Sequence, residues 1–364
     1  MSDMTEPIGL YIHVPFCVKK CLYCDFYSLP LCSRESTVRK HYIDRVIANI
    51  SAYSQRYDTV YFGGGTPSLL SAADFYRVLS AADIANGAEI TIECNPESVT
   101  DEKLTGYRSA GINRISIGVQ SFDDRELKML GRAHDCDTAV RAVKGAYKSG
   151  FDNISVDLML GLPFQSEKTV TDNIARAAEL PVNHISAYML KIEDGTPLSE
   201  DKALCDGVDD DCTAMYYEKA NECLEKHGYM RYEISNFAKK GFECRHNLKY
   251  WHCEDYIGIG PSAHSCFGGK RFAVPGDLDA FMGSDRQPVY VTDNSPCGDE
   301  ERLMLQIRLR EGICPENFGA MGERIRKNAE PLISHGFIEV KDTRLTLTVK
   351  GCLVSNEIIC RLVE

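Results

Sequence analysis

Six short runs rich in β-branched and aromatic residues punctuate the first part of the chain, at 10–14, 59–62, 89–93, 114–118, 154–158 and 185–189. Between them lie longer amphipathic stretches, of which 35–53, 72–82 and 101–109 read as helices. A strand and a helix about every 25–40 residues is the pattern of consecutive βα units and a parallel sheet. Six units fit either an open, doubly wound sheet or a partial barrel. Polar residues recur where strands end, at Glu93, Gln120 and Asp157, and strand C-termini are where barrel chemistry collects. The expected fold class is therefore α/β, with a partial (β/α)6 barrel over residues 1–237.

Beyond an acidic, turn-rich break at 199–212, helical and loop segments are expected up to about residue 296, with 238–296 as a connecting segment. The stretches 299–310 and 316–334 read as helices, and 336–349 as a hairpin turning at 341–344. Helices followed by a hairpin predict a winged-helix-like α+β module over 297–364. That module carries 10 Lys plus Arg and 11 Asp plus Glu, so it lacks the basic face of a nucleic-acid reader. The whole chain has a net charge of −12, which disfavours nucleic acid and anionic membrane as partners. No apolar run is long enough to span a bilayer. Residues 1–6 lack a basic region leading into an apolar one, so a cytoplasmic location is expected.

In such a compartment 16 cysteines do not predict a disulfide framework. Three of them stand together. Cys17-Val-Lys-Lys-Cys21-Leu-Tyr-Cys24 follows the first strand and a Pro15-Phe16 turn. Structural zinc takes four ligands, commonly from two pairs; no second pair is near, and Cys32 and His13 have unsuitable spacing. Three thiolates suit a [4Fe–4S] cluster with one iron left open. The amino and carboxylate groups of S-adenosylmethionine can chelate that iron, and reduction through the cluster then yields a deoxyadenosyl radical. Zinc and unligated thiols are the competing readings.

This spacing, after the first strand of a βα barrel, resembles the radical SAM superfamily. Neighbouring segments extend the likeness. Gly63-Gly-Gly-Thr-Pro67 follows the second strand, where glycines let a backbone approach a ligand. Glu93 ends the third strand, and Gln120, Arg132 and Asp157 complete a ring of polar strand-end residues. Tyr11-Ile-His-Val-Pro-Phe-Cys17, Gly118-Val-Gln-Ser121, 157–163 and Gly258-Ile-Gly-Pro-Ser-Ala-His264 together resemble the oxygen-independent coproporphyrinogen III oxidase family over nearly the whole chain. The resemblance implies that Tyr11, Gly64, Gly65, Thr66, Glu93, Gln120, Arg132 and Asp157 line the S-adenosylmethionine pocket, with Lys191 and His264 near its wall.

That family divides into oxidases and a HemW-like haem chaperone subfamily. The oxidases carry a fourth cysteine two residues beyond the third, where this chain has Phe26, and a longer arm than the 16 residues preceding Cys17. Both departures favour a haem chaperone over an enzyme that oxidatively decarboxylates coproporphyrinogen III to protoporphyrinogen IX. His246-Asn-Leu-Lys-Tyr250-Trp251 resembles the chaperones' proposed haem site, with His246 as axial ligand and Tyr250 and Trp251 beside the macrocycle. A hydrogen-bonded histidine is the competing reading there, and Cys244, His252 and Cys253 are alternative ligands in the same loop. The implied partners are haem, a haem-accepting protein such as a respiratory enzyme, an electron donor such as flavodoxin or ferredoxin, and a second copy in a homodimer.

Overall fold

The computed structural model describes residues 6–30 and 35–364. Residues 1–5, on which the expectation of an absent leader rests, and Cys32 lie outside that range. Strands β1 (Ile8–Val14), β2 (Arg56–Gly64), β3 (Asp83–Cys94), β4 (Arg114–Gln120), β5 (Asn153–Leu160) and β6 (His184–Met189) pair in that order, every pair parallel. This order separates the two expected architectures. A doubly wound sheet reverses its strand order and carries helices on both faces. Right-handed crossovers between strands laid down in sequence put every helix on one face, leaving the other to line a lumen. The fold is the partial barrel.

Each strand alternates accordingly. Leu10, Ile12, Val60, Phe62, Ile92 and Ile117 are buried in the apolar core. Tyr11, His13, Tyr61, Glu93, Ser116 and Asp157 occupy the intervening positions and meet one another across the lumen. The outer layer is held by aromatic edges. Phe62 on β2 meets Phe75 on the helix Ala72–Ser80 at 4.8 Å between ring centroids, and Phe75 meets Tyr107 on the helix Asp101–Ser109 at 5.2 Å, both edge to face. Ser71 starts the first of these helices with a capping box to Asp74, which satisfies amide groups the helix cannot pair itself.

The sheet does not stop at six strands. Short strands β7 (Met230–Arg231) and β8 (Asn236–Ala238) extend it antiparallel beyond β6. At the other end β9 (Tyr256–Ile259) joins β1 in parallel, followed by the antiparallel β10 (His264–Phe267), β11 (Lys270–Ala273) and β12 (Tyr290–Asp293). Residues 256–293, read from sequence as helix and loop, thus contribute four strands. Each is only four residues long, too short for alternation to register. The last part follows the expected order: helices Asp299–Gln306 and Met321–Ser334, then a hairpin of Ile338–Lys341 with Arg344–Leu347. Asp342 and Thr343, with φ of 46° and 72°, supply the two left-handed residues that a tight hairpin turn needs.

Phe75 is fully buried, so Phe75→Ala should cost roughly 3–5 kcal/mol through lost burial and a residual cavity. Urea unfolding should show this as a lower midpoint at unchanged slope.

Candidate functional site

The three thiols sit on a loop that leaves the C-terminal end of β1. Its base is closed by pairing Phe16–Cys17 with Leu29–Pro30, and the Leu29 amide donates to the Pro15 carbonyl at 2.7 Å. Within it His13 Nε2 lies 2.8 Å from the Tyr27 carbonyl, and the Tyr27 hydroxyl accepts from the Leu278 amide at 3.0 Å. The loop is therefore framed at both ends. Cys17, Cys21 and Cys24 are all partly exposed. Among the described residues no group of three or more His, Cys, Asp or Glu is arranged to hold a single metal ion. Burial first, and then the neighbouring thiols of Cys21 and Cys17, push the Cys24 thiol up. Metal coordination reverses such a preference by taking the thiolate.

Sulfur acceptors need donors, and two are present. Thr66 Oγ1 donates to Cys17 Sγ at 3.4 Å, and Arg132 Nη1 donates to Cys21 Sγ at 3.3 Å. One residue not singled out in the sequence joins them. Asn95 Oδ1 accepts from Arg132 Nη2 at 2.8 Å, while its Nδ2 donates to Thr66 Oγ1 at 3.2 Å. The polarity of this relay is forced. A guanidinium only donates, so the amide must turn its oxygen to Arg132 and its nitrogen to Thr66, which leaves the threonine hydrogen for Cys17. Asn95 lies two residues beyond Glu93, and period-two alternation could have found it.

The glycines at the end of β2 are packed closely on their Cβ side. A Cβ on Gly65 would lie 2.7 Å from the Phe16 carbonyl oxygen, and one on Gly64, at φ +104°, would lie 2.6 Å from the His13 ring. Gly65 and Thr66 donate their amides to the Val14 and Phe16 carbonyls at 2.8 and 2.7 Å, which fastens the segment under the loop.

Next to these groups the lumen holds two carboxyls. Glu93 accepts from the Tyr61 hydroxyl at 2.8 Å and the Gly64 amide at 3.2 Å. Burial raises it to about 7, against the pull of those two donors. Asp157 accepts from Ser116 at 3.2 Å and is likewise raised by burial. Gln120, at φ 67°, ends β4 with its amide 2.9 Å from where a Gly118 Cβ would be, and Arg132 Nη2 donates to the Gly118 carbonyl at 2.7 Å. Arg132 Nε is buried with no partner. The structure thus gathers Tyr11, Thr66, Glu93, Gln120, Arg132 and Asp157 at one end of the lumen with the thiols. Lys191, with a side chain that is 78% exposed and pairs with Glu193 at 2.6 Å, lies near enough to Asp25 of the cysteine loop to feel its charge. His264 is exposed at the start of β10.

The His246 motif lies at the other end. It forms the helix Arg245–His252, whose first amides, of Arg245 and His246, donate to the Glu89 carboxylate, each at 3.2 Å. His246 is 1% exposed. Its Nδ1 is 2.8 Å from Thr59 Oγ1 and its Nε2 is 2.7 Å from the Tyr250 hydroxyl. The ring stacks on Tyr61 at 5.2 Å, and burial lowers its pKa to about 3. The expectation that His246 offers a free imidazole to haem iron is corrected: the ring is buried and both of its nitrogens are hydrogen-bonded. Tyr250 bonds that imidazole and packs on Tyr256 at 4.5 Å, while Trp251 is partly buried on the same helix. The motif is a floor.

Two measurements probe this end-to-end arrangement. Thr66→Val should lower the midpoint potential of a reconstituted cluster by about 40 mV, one hydrogen bond of about 1 kcal/mol for a one-electron couple. Thr66→Ser should not, and EPR-monitored titration reads both. A cationic ligand that needs ionised Glu93 must displace its proton below about pH 7. Affinity for S-adenosylmethionine should then fall up to about tenfold per pH unit below that point and level off above it. Calorimetry on Glu93→Gln should show weaker binding without that slope.

Residues 11–177 match the Radical SAM superfamily and residues 300–354 the HemN C-terminal domain. Heme chaperone HemW of Haemophilus influenzae is 35% identical over 97% of each chain. The protein of that name from Bacillus subtilis is 33% identical over 96% of this chain and 97% of its own. The solved structure of coproporphyrinogen III oxidase (HemN) from Escherichia coli, a radical SAM enzyme, superposes with a TM-score of 0.80 at 19% identity, covering 98% of this chain and 90% of that one. At that identity the likeness establishes the fold. The two HemW relatives, matched from end to end, establish more: the chain belongs to the HemW family of the radical SAM superfamily.

Proposed function

We propose that the chain is a cytoplasmic haem chaperone. It holds a [4Fe–4S] cluster on Cys17, Cys21 and Cys24, binds S-adenosylmethionine at the same end of the barrel, and passes haem to an acceptor protein. The observation that carries this reading is the correspondence over nearly the whole chain to relatives named heme chaperone HemW. Phe26, 66% exposed on the cysteine loop, agrees with it, since the oxidases of the family place a cysteine there.

The residues at the mouth suit the proposed ligands. Thr66 and Arg132 donate to sulfur, which stabilises the thiolate form that iron requires. A bound cluster supplies a single low-potential electron. Glu93 and Asp157 offer carboxyls to an ammonium group, whose charge would offset their desolvation. Arg132 keeps a buried Nε–H for a carboxylate. Below, Tyr61 and His246 form an aromatic floor on which Tyr11 stacks. Among the described residues no helix is long and apolar enough to cross a membrane, which accords with the proposed location. An electron donor of the flavodoxin or ferredoxin type and a respiratory enzyme as acceptor belong to the same reading.

The deciding experiment is anaerobic, on cluster-reconstituted protein. Haem is added to one sample, and coproporphyrinogen III with S-adenosylmethionine and dithionite to another. Stoichiometric haem binding without protoporphyrinogen formation is expected. Turnover to protoporphyrinogen would overturn the proposal in favour of the oxidase. Cys21→Ser should lose the broad iron–sulfur absorbance while keeping the circular dichroism of the parent.

A further inference from the structure

If the chain binds haem, and His246 is closed to iron, another side chain must meet the metal. An axial imidazole needs a ring nitrogen that is not already bonded and an open approach to it. The chain has nine histidines, and their surroundings divide them sharply. His13, His134, His184 and His246 are buried, and in each both ring nitrogens have partners. His227 and His335 each turn Nδ1 to a carbonyl four residues back on their own helix, at 2.8 and 2.6 Å. His252 faces Glu311 at 3.4 Å. These three commit Nδ1 and keep Nε2 unbonded, whereas among the described residues His41, on the solvent side of the helix Glu35–Ser51, and His264 have neither ring nitrogen engaged.

His264 differs from His41 in where it stands. β10 begins with it, immediately after the turn that follows β9, and β9 is the parallel neighbour of β1. Gly260 in that turn lies so close to β1 that a Cβ would come within 2.5 Å of the His13 carbonyl oxygen. The His264 ring is near enough to His13 to disfavour its protonation, and His13 in turn touches Tyr11 and the cysteine loop. His264 is exposed, with no hydrogen-bond or ion-pair partner among the described residues. It stands at the mouth of the barrel, on the side of the thiols.

A haem also needs apolar cover for its faces, and the cysteine loop exposes it. Val18 is 64% exposed, Phe26 66% and Leu29 37%, although nothing in a solvated loop calls for three large apolar side chains at its surface. Phe26 and Leu29 flank Tyr27, whose ring would lie 3.1 Å from a Cβ on Gly276 and whose hydroxyl accepts from Leu278. Gly276 follows three residues after Ala273, the cross-strand partner of His264. The apolar side chains and the open imidazole therefore belong to one locality.

We propose that His264 is the axial ligand through which the chain holds haem, with Phe26 and Leu29 of the cysteine loop against the macrocycle. This inference rests on the haem-chaperone reading. It gives Phe26 a positive role as apolar cover, and it puts haem and cluster at the same end of the barrel, with the His246 helix serving as the floor beneath both.

The test uses the full chain titrated with ferric haem and followed by its Soret band and by EPR, comparing the parent with His264→Ala, His41→Ala and His246→Gln. The expected result is that His264→Ala loses the histidine-ligated spectrum and binds at least tenfold more weakly, and that free imidazole restores the spectrum. His41→Ala should match the parent, and His246→Gln, which retains polar atoms for Thr59 and Tyr250, should keep the histidine-ligated spectrum. Phe26→Ser should weaken binding several-fold with the ligation spectrum unchanged. A parental spectrum in His264→Ala, or its loss in His41→Ala, would overturn the assignment whatever happens at the floor. Absence of stoichiometric haem binding by the parent itself would defeat the chaperone reading and this inference together.

Discussion

A carboxyl group drawn out of water sets the terms for the rest of this barrel. Glu93 stands near the end of its strand inside the lumen, where desolvation works against its charge. Without counter-ligands it would be a costly defect. Tyr61 and the Gly64 amide offset part of that cost, and each is itself held. Tyr61 lies on the His246 ring, His246 is fixed by Thr59 and Tyr250, and the helix bearing both is seated on Glu89. Gly64 belongs to the segment fastened beneath the cysteine loop. A column of polar and aromatic contacts thus runs from the floor to the mouth, and the acidic group that a cationic ligand would need depends on all of it.

The same logic explains why the lumen departs from the usual barrel filling of branched aliphatic layers. Arg114 is buried beside Glu89, Cys244 and Tyr61, and Ser155 bonds His184, which reaches the Tyr232 hydroxyl. Neutral hydroxyls and imidazoles tie charged groups together at modest desolvation cost. An interior of this kind is rigid because removing one member strands its neighbours. Asn95 is the clearest instance, a side chain whose two ends serve two different thiols through two different donors.

Much of this was legible in the sequence. The six strand runs and their rhythm predicted the units, and polar strand ends pointed to the barrel before the strand order settled it. The cysteine spacing and the ring of Thr66, Glu93, Gln120, Arg132 and Asp157 fell together as the motifs implied. What stayed hidden depended on distant partners. His246 reads as an available imidazole until Thr59, 187 residues away, occupies one of its nitrogens. Its other partner, Tyr250, one helical turn on, was legible as a neighbour but was read as a companion to haem. Strands of four residues gave no periodic signal.

The pairing of β1 with β9 has a consequence for how the molecule is made. β1 is synthesised well before β9, yet it lies inside the finished sheet with a neighbour on each side. One neighbour arrives early. The other, together with the Leu278 amide that fixes Tyr27 from 251 residues away, is synthesised in the last third of the chain. Domains fold as their parts become available during translation, and contacts of such long sequence separation form slowly. The cysteine loop therefore acquires its full frame only after Leu278 has been synthesised, 251 residues beyond Tyr27.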